Sequence, residues 1–246
     1  MRTAKTSRIL TPLRSWQQLP NGELLHQQTQ QRVDDYLEQC FGYNLLKLGQ
    51  LSCKINTSNS IISHQINCAS NGDSLSLQAD INQLPLQDST IDLCILTHEL
   101  DFSSDPHQLL REIDRVLALD GTLIISGYNP ISLLGLRTAL NPKNPKNARL
   151  FLPNRVIDWL HLLGFKIQQK QHFDFLSRNL NSTCSLFIED FGQNYLPYFC
   201  SVYFIIAKKS TIPMTPIKYS FQFKGKRITG QAAATRTSPR NQYPPE

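Results

Sequence analysis

Apolar and polar residues alternate along the chain in short blocks that switch between helical and strand periodicity. Between residues 23 and 41, Leu24, Leu25, Val33, Tyr36, Leu37, Cys40 and Phe41 recur at helical spacing ahead of Gly42. That pattern predicts an amphipathic helix with a glycine stop. A short apolar strand is predicted at 44–49, ending at Gly49, and further strands at 60–67 and 74–78. Residues 91–97 form a continuous apolar run, as expected of a strand covered on both faces. Asp105 and Pro106 then open a helix, the aspartate as N-cap and the proline in the first turn. Its apolar stripe is Leu109, Leu110, Ile113, Val116 and Leu117.

The alternation continues through a turn at Asp120-Gly121 into a strand at 122–126 and a helix at 131–140. A polar loop with two prolines fills 141–149, and a helix at 154–163 ends at Gly164. Strands at 165–170 and 202–207 close the series. Such strand–helix alternation predicts an α/β fold, a doubly wound, mostly parallel seven-stranded sheet with helices on both faces. The predicted organisation is an N-terminal arm at 1–20, the α/β domain at 21–210 and a basic tail at 211–246. Within the domain, the stretch 171–200 carries seven of the 22 aromatic residues and reads as an insertion. It suits a hydrophobic lid, a dimer surface or an apolar substrate wall equally well.

A length of 246 residues with 40% hydrophobic and 18% charged residues is enough for a buried core and excludes a disordered chain. The formal charge of +6 is unevenly placed. Arg2, Lys5, Arg8 and Arg14 lie in the arm, and Lys218, Lys224, Lys226, Arg227, Arg236 and Arg240 in the tail. The body between them is mildly acidic, so any nucleic-acid affinity would belong to the tails alone. Six scattered cysteines form no Cys-x-x-Cys pair and no Cys/His cluster. No metal site and no disulfide framework are expected, and a reducing cytoplasm fits best. No apolar run approaches a membrane-spanning length.

One block of sequence is highly specific. Leu77 to Leu86 (LQADINQLPL), Ser89-Thr90-Ile91-Asp92-Leu93, Asp105-Pro106, Leu110 to Leu117 (LREIDRVL) and Asp120 to Ile125 (DGTLII) follow one another at fixed spacing. This order resembles the central half of class I S-adenosylmethionine-dependent methyltransferases of the ubiquinone/menaquinone-biosynthesis type. A closer resemblance is to small bacterial methyltransferase-like proteins, through LLKLG at 45–49 and ISGYNPIS at 125–132. The resemblance implies S-adenosylmethionine as cofactor and methyl transfer to a small-molecule acceptor.

It also implies site residues. Asp80 would accept the adenine amino group and the backbone of Ile81 would read the ring edge; the competing reading of Asp80 is a turn-forming aspartate. Gly49 and Thr97 complete the implied cofactor set, and Asn67 is the nearest candidate for the ribose hydroxyls. His98, Glu99 and Asp101 border the place of methyl transfer. His98 is a candidate base because imidazole exchanges protons near neutral pH, although a loop histidine is more often a structural hydrogen-bonder. Tyr128 sits near the pocket mouth. Asp92 is read as structural, and Arg111, Glu112 and Arg115 as salt-bridging residues on a solvated helix face.

The first glycine loop departs from the family. The usual pattern is an acid two positions before the first glycine and then Gly-x-Gly-x-Gly. Here the run is Lys47-Leu48-Gly49-Gln50-Leu51-Ser52-Cys53, with a single glycine and a reversed charge. Two readings follow: a methyltransferase with a rebuilt loop, or a non-catalytic binding or scaffold protein that kept the fold. Leu51 and Cys53 filling the methionine pocket would favour the second.

Overall fold

A computed structural model describes residues 13–72, 75–132, 148–174 and 197–210. The predicted helix at 131–140, the loop at 141–149, most of the aromatic insertion and the tail lie largely outside these residues. The described chain is a three-layer α/β structure around one seven-stranded sheet with strand order β3-β2-β1-β4-β5-β7-β6. The strands are β1 (Asn44–Leu48), β2 (His64–Ala69), β3 (Leu77–Gln78), β4 (Ile91–Thr97), β5 (Leu117–Tyr128), β6 (Phe165–Phe173) and β7 (Val202–Lys209). β1 to β5 are parallel, and β7 enters antiparallel between β5 and β6. The order reverses between β1 and β4, so the carboxyl ends of these two strands flank the natural ligand crevice.

Helix α1 (Gly22–Leu37) and the one-turn α2 (Gln50–Cys53) cover one face. Helices α3 (Pro106–Val116) and α4 (Pro153–Leu162) cover the other. The period-two alternation of the strands divides the side chains between two cores. Leu46, Leu48, Cys94, Leu96, Leu123 and Ile125 meet α3 and α4, and Leu45, Leu93, Ile95 and Ile124 meet α1. Ile91–Thr97 is buried almost throughout, as its unbroken apolar run requires. Asp105 caps α3 by accepting the Gln108 N–H at 3.1 Å, with Pro106 next to it.

Three details differ from the sequence expectation. Residues 13–19 are part of the domain: Leu13, Trp16 and Leu19 are buried in the α1-side core, around a 3-10 turn at Trp16–Gln18. The first crossover carries a single helical turn, and the second no helix at all among its described residues, because β3 pairs through only two residues and a loop suffices to reach it. Gly42 is not a left-handed stop. It is a close-approach residue, where a Cβ would lie 2.4 Å from Asp92 Cβ.

That approach lets Asp92 Oδ2 accept the N–H groups of Tyr43 (2.7 Å) and Asn44 (2.9 Å), which anchors the entry of β1. Replacing Asp92 with alanine orphans two backbone donors. We expect Asp92→Ala to lower unfolding free energy by about 2 kcal/mol, the usual cost of such a loss. Urea denaturation should show a lower midpoint at unchanged slope; an unchanged midpoint would refute the anchoring role.

Candidate active site

The carboxyl rim of the sheet is assembled by three loops, those after β1, β3 and β4, together with the end of β5. After β1, Gly49 has φ +90°, a conformation that side chains rarely adopt, and a Cβ there would lie 2.2 Å from Glu99 Oε2. The glycine therefore answers to the carboxylate lying across it. α2 then turns Leu51 away from the rim into the α1-side core, where Leu51 is buried with Trp16, Ile55 and Phe102. Cys53 Sγ folds over the strand ends, 3.6 Å from the Lys47 carbonyl and 4.0 Å from that of Cys68. Burial pushes its thiol up to about 11, with Lys47 pulling the other way.

Lys47 is buried, and its Nζ donates to the Ile55 carbonyl at 3.2 Å beneath the loop. Desolvation lowers its pKa. Ser52 ties this loop to β4. Its Oγ accepts the Thr97 N–H at 2.9 Å and shares a second 2.9 Å hydrogen bond with Thr97 Oγ1. Thr97, one of the residues implied as a cofactor ligand, is thus fully buried and engaged by Ser52. Asn67 lies within β2, paired in register with Lys47, and its Oδ1 is buried without a partner among the described residues. Gln50 reaches across the next loop, its Nε2 buried against Gly72 and without a partner among the described residues.

The Asp80 turn is exposed and built by the aspartate itself. Asp80 Oδ1 accepts from the Asn82 N–H at 2.9 Å and from Asn82 Nδ2 at 3.1 Å, so the turn-forming role is present. Ile81 and Leu84 are buried beneath it. Helix α3 fixes the rest of this turn. Glu112 Oε1 accepts the Leu84 N–H at 2.8 Å, while Arg115 donates to the Leu84 and Leu86 carbonyls and pairs with Glu112 and Asp88. Hydrogen bonding to Arg115 holds the Glu112 carboxyl below its ordinary range. The pair read from sequence as surface salt bridging is therefore also the clamp on the rim turn. Among the described residues Arg111 bonds to Gln108 on its own helix.

After β4, His98 takes a left-handed φ of +54° and is 1% exposed. Its Nδ1 lies 3.3 Å from Asp101 Oδ2, which also accepts the Tyr128 N–H at 2.9 Å. The imidazole packs between Trp16 and Tyr128, with ring centroids 5.9 and 4.5 Å away. His98 Nε2 and the Tyr128 hydroxyl are both buried without a partner among the described residues. Desolvation, with Asp101 nearby, drives the Tyr128 phenol well above its usual range. Trp16 Nε1 donates to the Leu51 carbonyl at 3.2 Å, locking the arm over the site. Sequence reasoning missed Trp16, Gln50 and Ser52. Only Trp16 left a signal, the three-residue spacing of Leu13, Trp16 and Leu19 in an otherwise polar start.

A groove of about 1060 Å³ lies elsewhere, between α1 and the amino ends of β4 and β5. Arg32, Asp35 and Asp92 are among its lining residues, and it faces away from the rim where open α/β sheets bind ligands. No group of three or more His, Cys, Asp or Glu residues that could hold a metal occurs among the described residues. Among them no helix is long and apolar enough to cross a membrane.

The strand order, the antiparallel β7 and a rim built from the loops after β1, β3 and β4 define the class I methyltransferase architecture. Residues 40–125 match the methyltransferase domain family. The chain belongs to the family of the uncharacterized protein YafS of Escherichia coli K12, to which it is 37% identical over 96% of its length and of which 97% is covered. A 54-residue stretch, 22% of this chain and 24% of its relative, is 43% identical to a demethylmenaquinone methyltransferase of Chlamydia pneumoniae. An S-adenosylmethionine-dependent methyltransferase of Archaeoglobus fulgidus shares the fold, with a TM-score of 0.55 and 19% identity over 76% of this chain and 94% of that one.

Glu99 is 9% exposed, and among the described residues nothing hydrogen-bonds or ion-pairs with its carboxylate. Burial, and then the adjacent Asp101, push its pKa from 4.5 to about 7. A carboxyl whose folded value lies above its unfolded one holds its proton more tightly when folded, so stability falls as pH rises from about 4.5 to 7. We expect Glu99→Gln to be more stable than the parent at pH 8 and to lose that advantage below pH 5. Asp101, also raised by burial, keeps some slope in both proteins. Denaturant titrations across this range check it; equal stability of the two proteins at pH 8 would contradict the assignment.

Proposed function

We propose that the domain transfers a methyl group from S-adenosylmethionine to a small-molecule acceptor at the carboxyl rim. The observation that carries this reading is the set of buried, unpartnered polar groups there. Gln50 Nε2 and Asn67 Oδ1, from two separate segments, are buried without a partner among the described residues. Buried polar groups are almost always hydrogen-bonded, so two of them at the rim without protein partners support a polar ligand there. The residues suit this cofactor. Asp80 keeps Oδ2 for an adenine amino group while Oδ1 builds the turn, and Gln50 and Asn67 offer amides to ribose hydroxyls. Gly49 brings bare backbone to the ligand. Leu51 is turned into the core, so the side chain that could have plugged the rim does not do so.

The bound cofactor supplies a methyl group already activated on a sulfonium. What remains for the protein is to align the acceptor and exclude water, and that needs no fixed triad. Trp16, His98 and Tyr128 close the acceptor side as a packed aromatic wall. Asp101 orients the His98 ring through Nδ1, leaving Nε2 to take a proton from the acceptor.

Saturating S-adenosylhomocysteine should raise the thermal midpoint, with a stabilisation of about 2.7 kcal/mol at a hundredfold excess over Kd. Asp80→Ala should weaken binding roughly tenfold, the loss of one good hydrogen bond. Calorimetry giving neither heat nor stabilisation at millimolar S-adenosylmethionine and S-adenosylhomocysteine would end this reading.

A further inference from the structure

Glu99 is a buried acid without a cation. Its carboxylate lies across the Cα of Gly49, in the crevice between β1 and β4. The titratable groups that surround it offer no positive partner. Asp101 on its own 3-10 turn adds to the unfavourable field, and the Cys53 thiol of α2, pushed up to about 11, is neutral and offers no positive charge. The adjacent His98 imidazole is turned to Asp101, and Lys47 of β1 is directed beneath the loop to the Ile55 carbonyl. A desolvated carboxylate in such a position costs several kcal/mol unless something positive reaches it.

We propose that Glu99 is the counter-charge for the α-ammonium group of the cofactor, supplied from β4 where the first strand carries Lys47 instead of an acid. The proposal rests on the methyl-donor reading above, and the rim's dimensions support it. Asp80 follows β3 and Glu99 follows β4, three strand spacings apart in the order β3-β2-β1-β4, or about 14 Å. That span matches an adenosine with an extended four-carbon amino-acid tail, adenine at one end and ammonium at the other. The sulfonium falls between them, short of Glu99. Gly49 is what allows the carboxylate to lie flat against the backbone, since any side chain there would displace it. Below pH 7 Glu99 holds a proton that it must release to pair with an ammonium, so binding should tighten as pH rises toward 7 and then level.

The test compares S-adenosylhomocysteine, which keeps the ammonium and lacks the sulfonium charge, with 5′-methylthioadenosine, which lacks the whole amino-acid portion. Calorimetry is run on the full chain and on Glu99→Gln and Glu99→Asp. We expect Glu99→Gln to weaken S-adenosylhomocysteine about 10- to 100-fold and to leave methylthioadenosine within about twofold, with Glu99→Asp recovering part of the loss. At pH 6.5, titrations in two buffers of different ionisation enthalpy should show proton release on binding to the parent and none to Glu99→Gln. Unchanged S-adenosylhomocysteine affinity in Glu99→Gln overturns the proposal while leaving the cofactor site intact. So does an equal loss for both ligands, or a loss seen with S-adenosylmethionine alone. Failure of the parent to bind any of these nucleosides removes the cofactor reading itself.

Discussion

The rim depends on the hydrogen bonds that Ser52 makes to Thr97. One hydroxyl satisfies the backbone N–H at the end of β4 and its neighbouring side chain together, and both groups are buried. This fastens the loop after β1 to the strand on the other side of the crevice. Gly49 and Glu99 are brought face to face as a result. Trp16, bonded to the Leu51 carbonyl in the same short helix, extends the tie to the arm, so a single helical turn organises three segments distant in sequence. A longer first-crossover helix would be held by its own packing. Four residues are held by these specific bonds instead, a local solution to having lost most of the helix.

The parts of this architecture that were legible in the sequence are those where local physics and tertiary context agree. The unbroken run of β4 could only be a doubly covered strand, and the Asp105-Pro106 start of α3 satisfies its own orphan N–H groups. The doubly wound, seven-stranded architecture followed from the strand–helix alternation and the resemblance of the block between Leu77 and Ile125, whereas the strand order came from the structure. What was hidden was decided by contacts across the fold. β5 begins at Leu117, before the Asp120-Gly121 turn, because Ile91 of β4 pairs with Leu117 ahead of a register shift and the pairing resumes at Thr122. β3 is reduced to two residues because only the tip of β2 reaches it. Of the site, Asp80, Gly49 and His98 were visible as residue types at loop positions. The roles of Ser52, Gln50 and Trp16 were not, since a serine, a glutamine and an isolated tryptophan carry no periodicity and acquire meaning only from what lies opposite.

The electrostatic pattern explains how the first loop could lose its acid and two glycines while the fold persisted. Lys47 is accommodated by one carbonyl and by a path beneath α2, so its charge does not confront the crevice. Leu51 adds to the α1-side core, and Cys53 lies against two strand-end carbonyls. Lys47 and Leu51 have found structural uses away from the ligand surface, while Cys53 stays at the strand ends near Glu99. The negative charge of the rim meanwhile resides on the other wall. The Asp80 turn, clamped by Glu112 and Arg115 from α3, was left untouched by these changes because it is held from the opposite face of the sheet.

The antiparallel course of β7 has a topological outcome. Because this strand runs against its neighbours, it starts beside the rim at Val202 and delivers the backbone at Lys209 to the opposite pole, next to the beginning of α4's partner strand β6 at Phe165. Ser210, just after β7, is bonded there to the carbonyl of Gly164. The end of β7 is thus separated from the crevice by the full height of the sheet, so substitutions at the Gly164–Ser210 contact would act on the pole remote from ligand entry.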